Sequence, residues 1–340
     1  MKMEEKTYSS KEFAEALGIS KNHLLKLESE GKIPFAKRML RGKIEHRYYT
    51  VQDLIIYRKN LGLPEVVQDR RVQLFLNFKG GTGKSTISSS YAYAVAELGV
   101  NVLAIDLDAQ QHLTKCLGID TPRNAKSIYD VIVEQYDIND TIIPTKLDTL
   151  DIIPGTLKLS VIENRLPNME MREFLLKSAL NNIQYKDYKV IVIDSLPNIT
   201  ILNKNAILAA TDLLIPVLAD YLSFDGLTLL MEELSRMEQT YRIYSLFPTG
   251  LLDNIHIFIN QYKSNETMSR ENRRALEEHY SQYLCETIIP YNTKITQATA
   301  SGQPITQYAK NSPGAIQIRA LVDEILQVNL RSNRKKRNYN

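Results

Sequence analysis

Apolar and polar positions divide the chain into two parts that meet near residue 70. In the first part, apolar residues recur three or four positions apart in short bursts, the spacing of amphipathic helices. Phe13, Ala14 and Leu17 form one burst, and Leu24, Leu25 and Leu27 a second. A third runs from Val51 to Leu61. Each burst follows a helix-start signal. Ser9-Ser10-Lys11-Glu12 fits the Ser-x-x-Glu capping box, Ser20 opens the second helix, and Thr50-Val51-Gln52-Asp53 opens the third. Gly18 separates the first two helices, which is helix-turn-helix spacing, and Pro34 closes the pair. Lys21, Asn22, His23 and Lys26 fall on the polar face of the second helix. The stretch from Phe35 to Tyr49 sets Lys37, Arg38, Arg41, Lys43 and Arg47 around Gly42. It reads as a β-hairpin wing with cations aimed at phosphates.

From Arg71 the pattern changes to near-continuous apolar runs separated by amphipathic stretches. The runs Val72–Phe78, Val100–Asp106, Leu150–Ile153, Val190–Asp194, Leu213–Val217, Ile255–Ile259 and Thr287–Ile289 predict strands. Runs without alternation belong to sheets covered on both faces. With helices between them, they predict a doubly wound α/β fold around a mostly parallel sheet. A last core helix opens at Gly314-Ala315 and extends to about Val328. The expected domains are a helix-turn-helix module over residues 1–64, a linker over 65–70, an α/β domain over 71–330 and a basic tail over 331–340.

The candidate chemistry sits where the first predicted strand meets the helix over Ile87–Leu98. The intervening segment reads Asn77-Phe78-Lys79-Gly80-Gly81-Thr82-Gly83-Lys84-Ser85-Thr86. Glycines between a strand and a helix let backbone N–H groups converge on phosphate oxygens. Lys84 suits the β- and γ-phosphates, Ser85 suits Mg²⁺, and Thr86 suits the α-phosphate. Two more strands end in acids. Leu103-Ala104-Ile105-Asp106-Leu107-Asp108 is one, and Tyr188-Lys189-Val190-Ile191-Val192-Ile193-Asp194 is the other. Carboxyl ends of parallel strands are where ligands bind in such sheets.

Charge adds a second theme. The net charge of +3 over 340 residues is unevenly spread. Residues 1–70 carry +4 and residues 331–340 carry +5, which leaves −6 on residues 71–330. Basic ends around an acidic middle point to nucleic acid as a partner. Cys116 and Cys285 lie far apart and outside any Cys-x-x-Cys spacing, so they read as small buried residues in a reducing cytoplasm. The five histidines show no metal-ligand spacing. No apolar run approaches the roughly 18 residues of a membrane span, and the charged N-terminus is no secretory signal.

The segment Lys79-Gly80-Gly81-Thr82-Gly83-Lys84-Ser85 resembles the variant (deviant Walker A) phosphate loop of the ParA/MinD class of ATPases. Asp106-Leu107-Asp108-Ala109-Gln110 resembles that class's Asp-Leu-Asp-Pro-Gln, with Ala109 for Pro and Gln111-His112 for the usual Gly-Asn. The strand ending at Asp194 resembles its Walker B element, although Leu196 stands where Pro is usual. Ile257–Gln261, Ile288–Ala298 and Gly302-Gln303-Pro304-Ile305 resemble its late segments, so the likeness spans about residues 71–328.

The resemblance implies ATP and Mg²⁺ as cofactors, with Lys79, Gly80, Gly81, Thr82, Gly83, Lys84, Ser85 and Thr86 around the phosphates. Catalysis would fall to Lys79, Lys84 and Asp108. Lys79 would reach the partner's nucleotide across a homodimer, and Asp108 would orient the attacking water. Ser85, Asp106 and Asp194 would serve Mg²⁺. Asn260 would hydrogen-bond adenine and Pro290 pack on it. Lys294, joined by Arg270, Arg273 and Arg274, would meet DNA without sequence preference. Residues Tyr8–Leu63 resemble a MerR-type winged helix-turn-helix through Phe13–Ser20, Gly31-Lys32-Ile33-Pro34, Arg47-Tyr48-Tyr49-Thr50 and Leu61-Gly62-Leu63. Lys21, Asn22, His23 and Lys26 would then enter the major groove, with Arg38, Arg41, Lys43 and Arg47 on the backbone.

The implied function is a cytoplasmic, nucleoid-associated partition ATPase. A ParB-like centromere-binding partner would stimulate hydrolysis, and the N-terminal module would repress its own operator. The alternative is a nucleotide-sensing transcription regulator. A MinD-like membrane cycle fits poorly, because the tail Arg331–Asn340 has no apolar stripe.

Overall fold

The computed structural model describes residues 7–41, 44–244, 246–247 and 250–328. Lys43 and the basic tail over 331–340 lie outside the described residues, as does the side chain of Arg41.

The first part folds as β1 (Thr7–Tyr8), α1 (Ser10–Leu17), α2 (Lys21–Ser29), β2 (Lys37–Arg41), β3 (Ile44–Thr50) and α3 (Val51–Asn60). The cap signals act as their chemistry dictates. Ser9 and Glu12 form a reciprocal capping box, and Ser20 accepts from the His23 N–H. Gly18 takes the left-handed φ of 74° that ends α1. The strands pair antiparallel in the order β1-β3-β2. Beneath them, Phe13 stacks on Tyr49 at 4.2 Å, with Tyr57 edge-on to Phe13 at 5.0 Å. Leu25 is only half-buried; Glu28 takes the buried position beside Leu24 and Leu27. That carboxylate accepts from the Tyr49 hydroxyl at 2.7 Å and pairs with Arg47. A buried acid is tolerated only with such partners.

The second part runs β4 (Arg71–Phe75), α4 (Lys84–Ala96), β5 (Val102–Asp106), α5 (His112–Cys116), α6 (Ile128–Ile132), β6 (Ile143–Pro144), β7 (Leu150–Ile153), α7 (Leu175–Asn181) and β8 (Val190–Asp194). It continues through α8 (Ile201–Ala209), β9 (Asp212–Leu218), α9 (Tyr221–Ile243), β10 (Asn254–Asn260), α10 (Thr267–Tyr280), α11 (Thr293–Ala300), α12 (Ile305–Tyr308) and α13 (Pro313–Leu326). Seven strands form one sheet in the order β10-β9-β4-β8-β5-β7-β6, parallel except for β6. Successive side chains feed opposite cores. Val102 and Ala104 join the core under α4 and α13, whereas Leu103 and Ile105 join the core under α8 and α9. This is the doubly wound arrangement expected from the apolar runs.

Two expected strands differ. β4 stops at Phe75 rather than Phe78, because Asn77 leaves the ladder. Its side chain donates to the Pro216 carbonyl at 2.8 Å and accepts from the Lys79 N–H at 2.9 Å. The stretch Thr287–Ile289 forms no strand. Its neighbours Leu284 and Pro290 make isolated bridges to Ile257 and Tyr262. The Glu324 carboxylate takes the N–H groups of Glu286 and Thr287, at 2.6 and 2.9 Å, so they do not enter a ladder.

α4 is buried on nearly every side, and its small Ser and Ala residues allow that fit. Its serines return their hydroxyls to the helix backbone, as Ser89 and Ser90 do to the Thr86 carbonyl at 2.9 Å. Cys116 and Cys285 are free and buried.

The two parts share one apolar core, continuous from Phe13 and Leu54 to α4 and α13. The Tyr8 hydroxyl donates to the Glu97 carbonyl at the end of α4, at 2.6 Å. Gly99 lies under α3 with φ +78°, and a Cβ there would stand 2.8 Å from Leu54 Cβ. Gly99→Ala is therefore expected to destabilise the full chain by about 1–3 kcal/mol, through left-handed strain plus overpacking. Urea unfolding checks this, and an unchanged midpoint would refute the close junction.

Candidate phosphate-binding site

The loop between β4 and α4 is shaped by two glycines with left-handed backbone, Gly81 at φ +77° and Gly83 at φ +85°. At Gly83 a Cβ would lie 2.5 Å from Asn260 Nδ2, so a side chain there would strain the backbone and displace that amide. That amide donates to the Thr82 carbonyl at 2.8 Å, so the end of β10 props the loop from below. Asn260 thus meets the loop itself, and its Oδ1 accepts from the Gln261 N–H. Pro290 is half-buried beside β10, where its backbone bridges Tyr262.

α4 starts at Lys84, so its unpaired first-turn N–H groups and dipole face the loop. Lys84 is 8% exposed, with Nζ 3.5 Å from the Lys79 carbonyl. Burial lowers its pKa, opposed by the charges of Asp194 and Asp108. An ammonium this buried, without a contacting carboxylate among the described residues, is poised for an anion.

Asp106 and Asp194 stand side by side, paired in the register of β5 and β8. Both are fully buried. Asp106 Oδ2 accepts from the Thr114 N–H at 2.9 Å and the Thr114 hydroxyl at 2.7 Å, and Oδ1 from the Asp108 N–H at 3.0 Å. Asp194 Oδ1 accepts from Ser88 at 3.2 Å, while its Oδ2 makes no hydrogen bond. Burial raises the pKa of both, and the Asp106 charge raises that of Asp194 further.

These residues fit Mg²⁺ and a nucleotide. The orphaned Asp194 Oδ2 and the buried, unpartnered Thr82 Oγ1 are ready for partners that protein atoms do not supply. No cluster of three protein ligands for a metal occurs among the described residues. Mg²⁺ does not need one, since water and phosphate complete its shell.

The raised carboxylates predict a pH effect. A carboxyl whose folded pKa exceeds its unfolded value of 3.8 binds more protons when folded, so stability falls as pH rises above about 4. Asp194→Asn should therefore raise the melting temperature of the nucleotide-free chain more at pH 8 than at pH 5. It should also weaken Mg²⁺-dependent stabilisation by ATP. An equal shift at both pH values would show that Asp194 is not the source.

Asp108 follows Asp106 by two residues, and its Oδ1 accepts from the Gln110 N–H at 2.8 Å. Gly155 presses on the backbone here, for a Cβ there would stand 2.3 Å from the Asp108 carbonyl. Lys79 points to the other flank and binds both oxygens of Asp220, at 2.7 and 2.8 Å. Asp220 also caps α9 through the Ser223 N–H at 2.8 Å. Burial works against the Asp220 charge, but Lys79 and Ser223 hold its pKa below the ordinary value.

The structure thus gathers Lys79 to Thr86, Asp106, Asp108, Asp194 and Asn260 around one loop. The candidate DNA cations stand elsewhere on the surface. Lys21, Asn22, His23 and Lys26 are all exposed on α2. Arg38 pairs with Glu45 at 3.1 Å, whereas Arg47 is committed to buried Glu28. Arg270, Arg274 and Lys294 are exposed, and Arg273 pairs with Glu277 at 2.7 Å.

Sequence reasoning missed Asp220 and Thr114. An Asp three residues before Ser223, at the end of an apolar strand, is a capping signal that was available for Asp220. Thr114 carries no spacing signal, because it meets Asp106, eight residues before it, only through the fold-back of the chain at Gln111.

Fold and site define a P-loop nucleotide-binding α/β protein. A family described as "AAA domain" matches residues 70–244. The chain is 39% identical over 324 residues to the cell division protein PomZ of Myxococcus xanthus, covering 95% of this chain and 94% of PomZ. It is 28% identical to the chromosome partitioning protein ParA of Caulobacter vibrioides, over 75% of this chain and 94% of ParA. Among solved structures, cobyrinic acid a,c-diamide synthase from Mycobacterium smegmatis, with bound ATP analog and magnesium, superposes with a TM-score of 0.63. That pair is 26% identical, over 76% of this chain and 95% of the synthase. The chain belongs to the ParA/MinD-type P-loop ATPases. No helix among the described residues is long and apolar enough to cross a membrane.

Proposed function

We propose that the chain is a Mg²⁺-dependent ATPase of the partition class, which binds DNA as an ATP-bound dimer. The observation that carries this reading is the loop itself. Buried Lys84, glycine-shaped N–H groups and the orphaned Asp194 Oδ2 converge where a strand meets a helix. Mg²⁺, when bound, neutralises phosphate charge. Asp106, Asp194 and Ser85 would hold its shell, and Lys84 would hold the terminal phosphates. Asp108 orients water, so catalysis is positioning and charge stabilisation. Lys79 leaves Asp220 on dimerisation and crosses to the partner's nucleotide, in the manner of a deviant Walker A lysine.

The N-terminal module acts as a MerR-like winged helix-turn-helix that reads specific DNA. Arg270, Arg274 and Lys294 supply non-specific contacts in the dimer, and a ParB-like partner stimulates release. One observation favours a variant of this reading. The likeness to PomZ covers 324 of 340 residues and so extends into the N-terminal module. A role in cell division, as that relative's name gives, is then the alternative. A nucleotide-sensing transcription regulator remains the competing class.

The test is binding to random-sequence duplex DNA without nucleotide, with ADP, and with ATP and Mg²⁺. The whole chain is used, because the module shares its core with the ATPase domain. ATP-dependent binding lost in Arg270→Glu/Lys294→Glu and kept in Lys21→Glu/Lys26→Glu supports the partition reading. Binding indifferent to ATP and lost only in the second variant supports the regulator.

A further inference from the structure

The first turn of α5 grips both acids that end or follow β5. Thr114 holds Asp106 through its N–H and hydroxyl. Two residues earlier, His112 Nδ1 lies 2.8 Å from Asp108 Oδ2. The other Asp108 oxygen accepts from the Gln110 N–H at 2.8 Å. Its two oxygens thus have separate partners on different sides, and together these fix the plane of the carboxylate.

The placement of His112 is built rather than incidental. Gln111 adopts a left-handed φ of 62°, uncommon for such a residue. Its N–H bonds the Asp108 carbonyl at 3.0 Å, folding the chain so that α5 opens on His112. The Asp108 side chain is 13% exposed and that of His112 is 61% exposed, so the imidazole stands on the solvent side of the carboxylate. A pair with one mostly exposed member adds little to stability. Its consequence lies in orientation. Lys84, buried and cationic, attracts Asp108 from within the site. With the Gln110 N–H alone, the carboxylate is free to turn about its last torsion toward that ammonium.

We propose that His112 is a positioning residue for ATP hydrolysis, whose Nδ1–H holds Asp108 Oδ2 so that the carboxylate stays directed at the attacking water. This rests on the reading of Asp108 as the residue that orients that water.

The experiment uses the full chain as wild type, His112→Ala, His112→Asn, Asp108→Ala and the double variant Asp108→Ala/His112→Ala. ATP turnover and MgATP binding are measured for each. His112→Ala is expected to lower kcat about tenfold, with KM and nucleotide binding unchanged. His112→Asn places an amide nitrogen where Nδ1 stood and should restore most of the rate. Adding His112→Ala to Asp108→Ala should cost no further activity, since the histidine acts through the aspartate. A second readout needs no turnover. Imidazole nitrogen NMR of the nucleotide-free chain should find the neutral His112 proton on Nδ1, and Asp108→Ala should release it to Nε2.

Wild-type turnover in His112→Ala, beside a slow Asp108→Ala, overturns the role of His112 alone. Wild-type turnover in Asp108→Ala overturns the underlying reading. An Asn variant as slow as the Ala variant, or a proton on Nε2 in the wild type, refutes the hydrogen bond as the cause.

Discussion

Lys84→Ala is expected to weaken nucleotide binding severely while leaving the fold in place. The ammonium lies within the loop at the start of α4 and is 8% exposed. The charges of Asp194 and Asp108 act on it without a contacting ion pair. Bound phosphate would meet that cation, buried at the start of α4, together with the loop N–H groups, where charge is less screened than in bulk water. Removing one partner of such a charged contact costs about 2–5 kcal/mol, or roughly 30- to several thousand-fold in affinity. The loss has a second source. Without Lys84, the cation that offsets Asp194 and Asp108 beside the incoming phosphates is gone. Titration of a fluorescent ATP analogue measures the effect, and circular dichroism checks that the helices persist. A Lys84→Ala chain that still binds MgATP at the wild-type Kd would remove the loop from the function.

Much of this site could be read from residue order because its geometry is local. A strand, a glycine turn and a helix follow one another within Arg71–Ala96, so spacing puts Lys84 in the turn just ahead of the helix expected over Ile87–Leu98, and the structure starts that helix at Lys84 itself. The acids at the ends of β5 and β8 were equally legible, since continuous apolar runs mark the strands and the acids end them. The sheet followed for the same reason.

What stayed hidden depends on partners distant in sequence. Lys79 meets Asp220, 141 positions on. Arg47 reads as a phosphate contact until Glu28 is found buried beneath it. The apolar run Thr287–Ile289 has the composition of a strand, yet its segment's first N–H groups go to Glu324. α4 presents the converse case. It has no one-sided apolar stripe to announce it, because α13 and the N-terminal module cover it from the side opposite the sheet. The phosphate loop before it, rather than periodicity, marks its start in the sequence.

Asp108→Ala should separate binding from hydrolysis. Asp108 accepts from Gln110 and meets His112, and no described side chain places it against the phosphate-facing N–H groups. Its removal leaves the loop glycines, Lys84, Ser85 and Asp194 unchanged, so MgATP should bind within about twofold of wild type. Turnover should fall about 100- to 1,000-fold, the loss typical of a positioned group that handles the attacking water. The trapped ATP state then serves as a probe. If ATP closes the dimer and DNA binds the closed form, Asp108→Ala should stay on random-sequence DNA where the wild type is released by hydrolysis. Dissociation rates measured after ATP is withdrawn decide this. A variant that hydrolyses slowly yet leaves DNA at the wild-type rate would mean that DNA release is not driven by hydrolysis, which would favour the nucleotide-sensing regulator. Wild-type turnover would strike Asp108 from the catalytic residues and leave Lys84 and Mg²⁺ to orient the water.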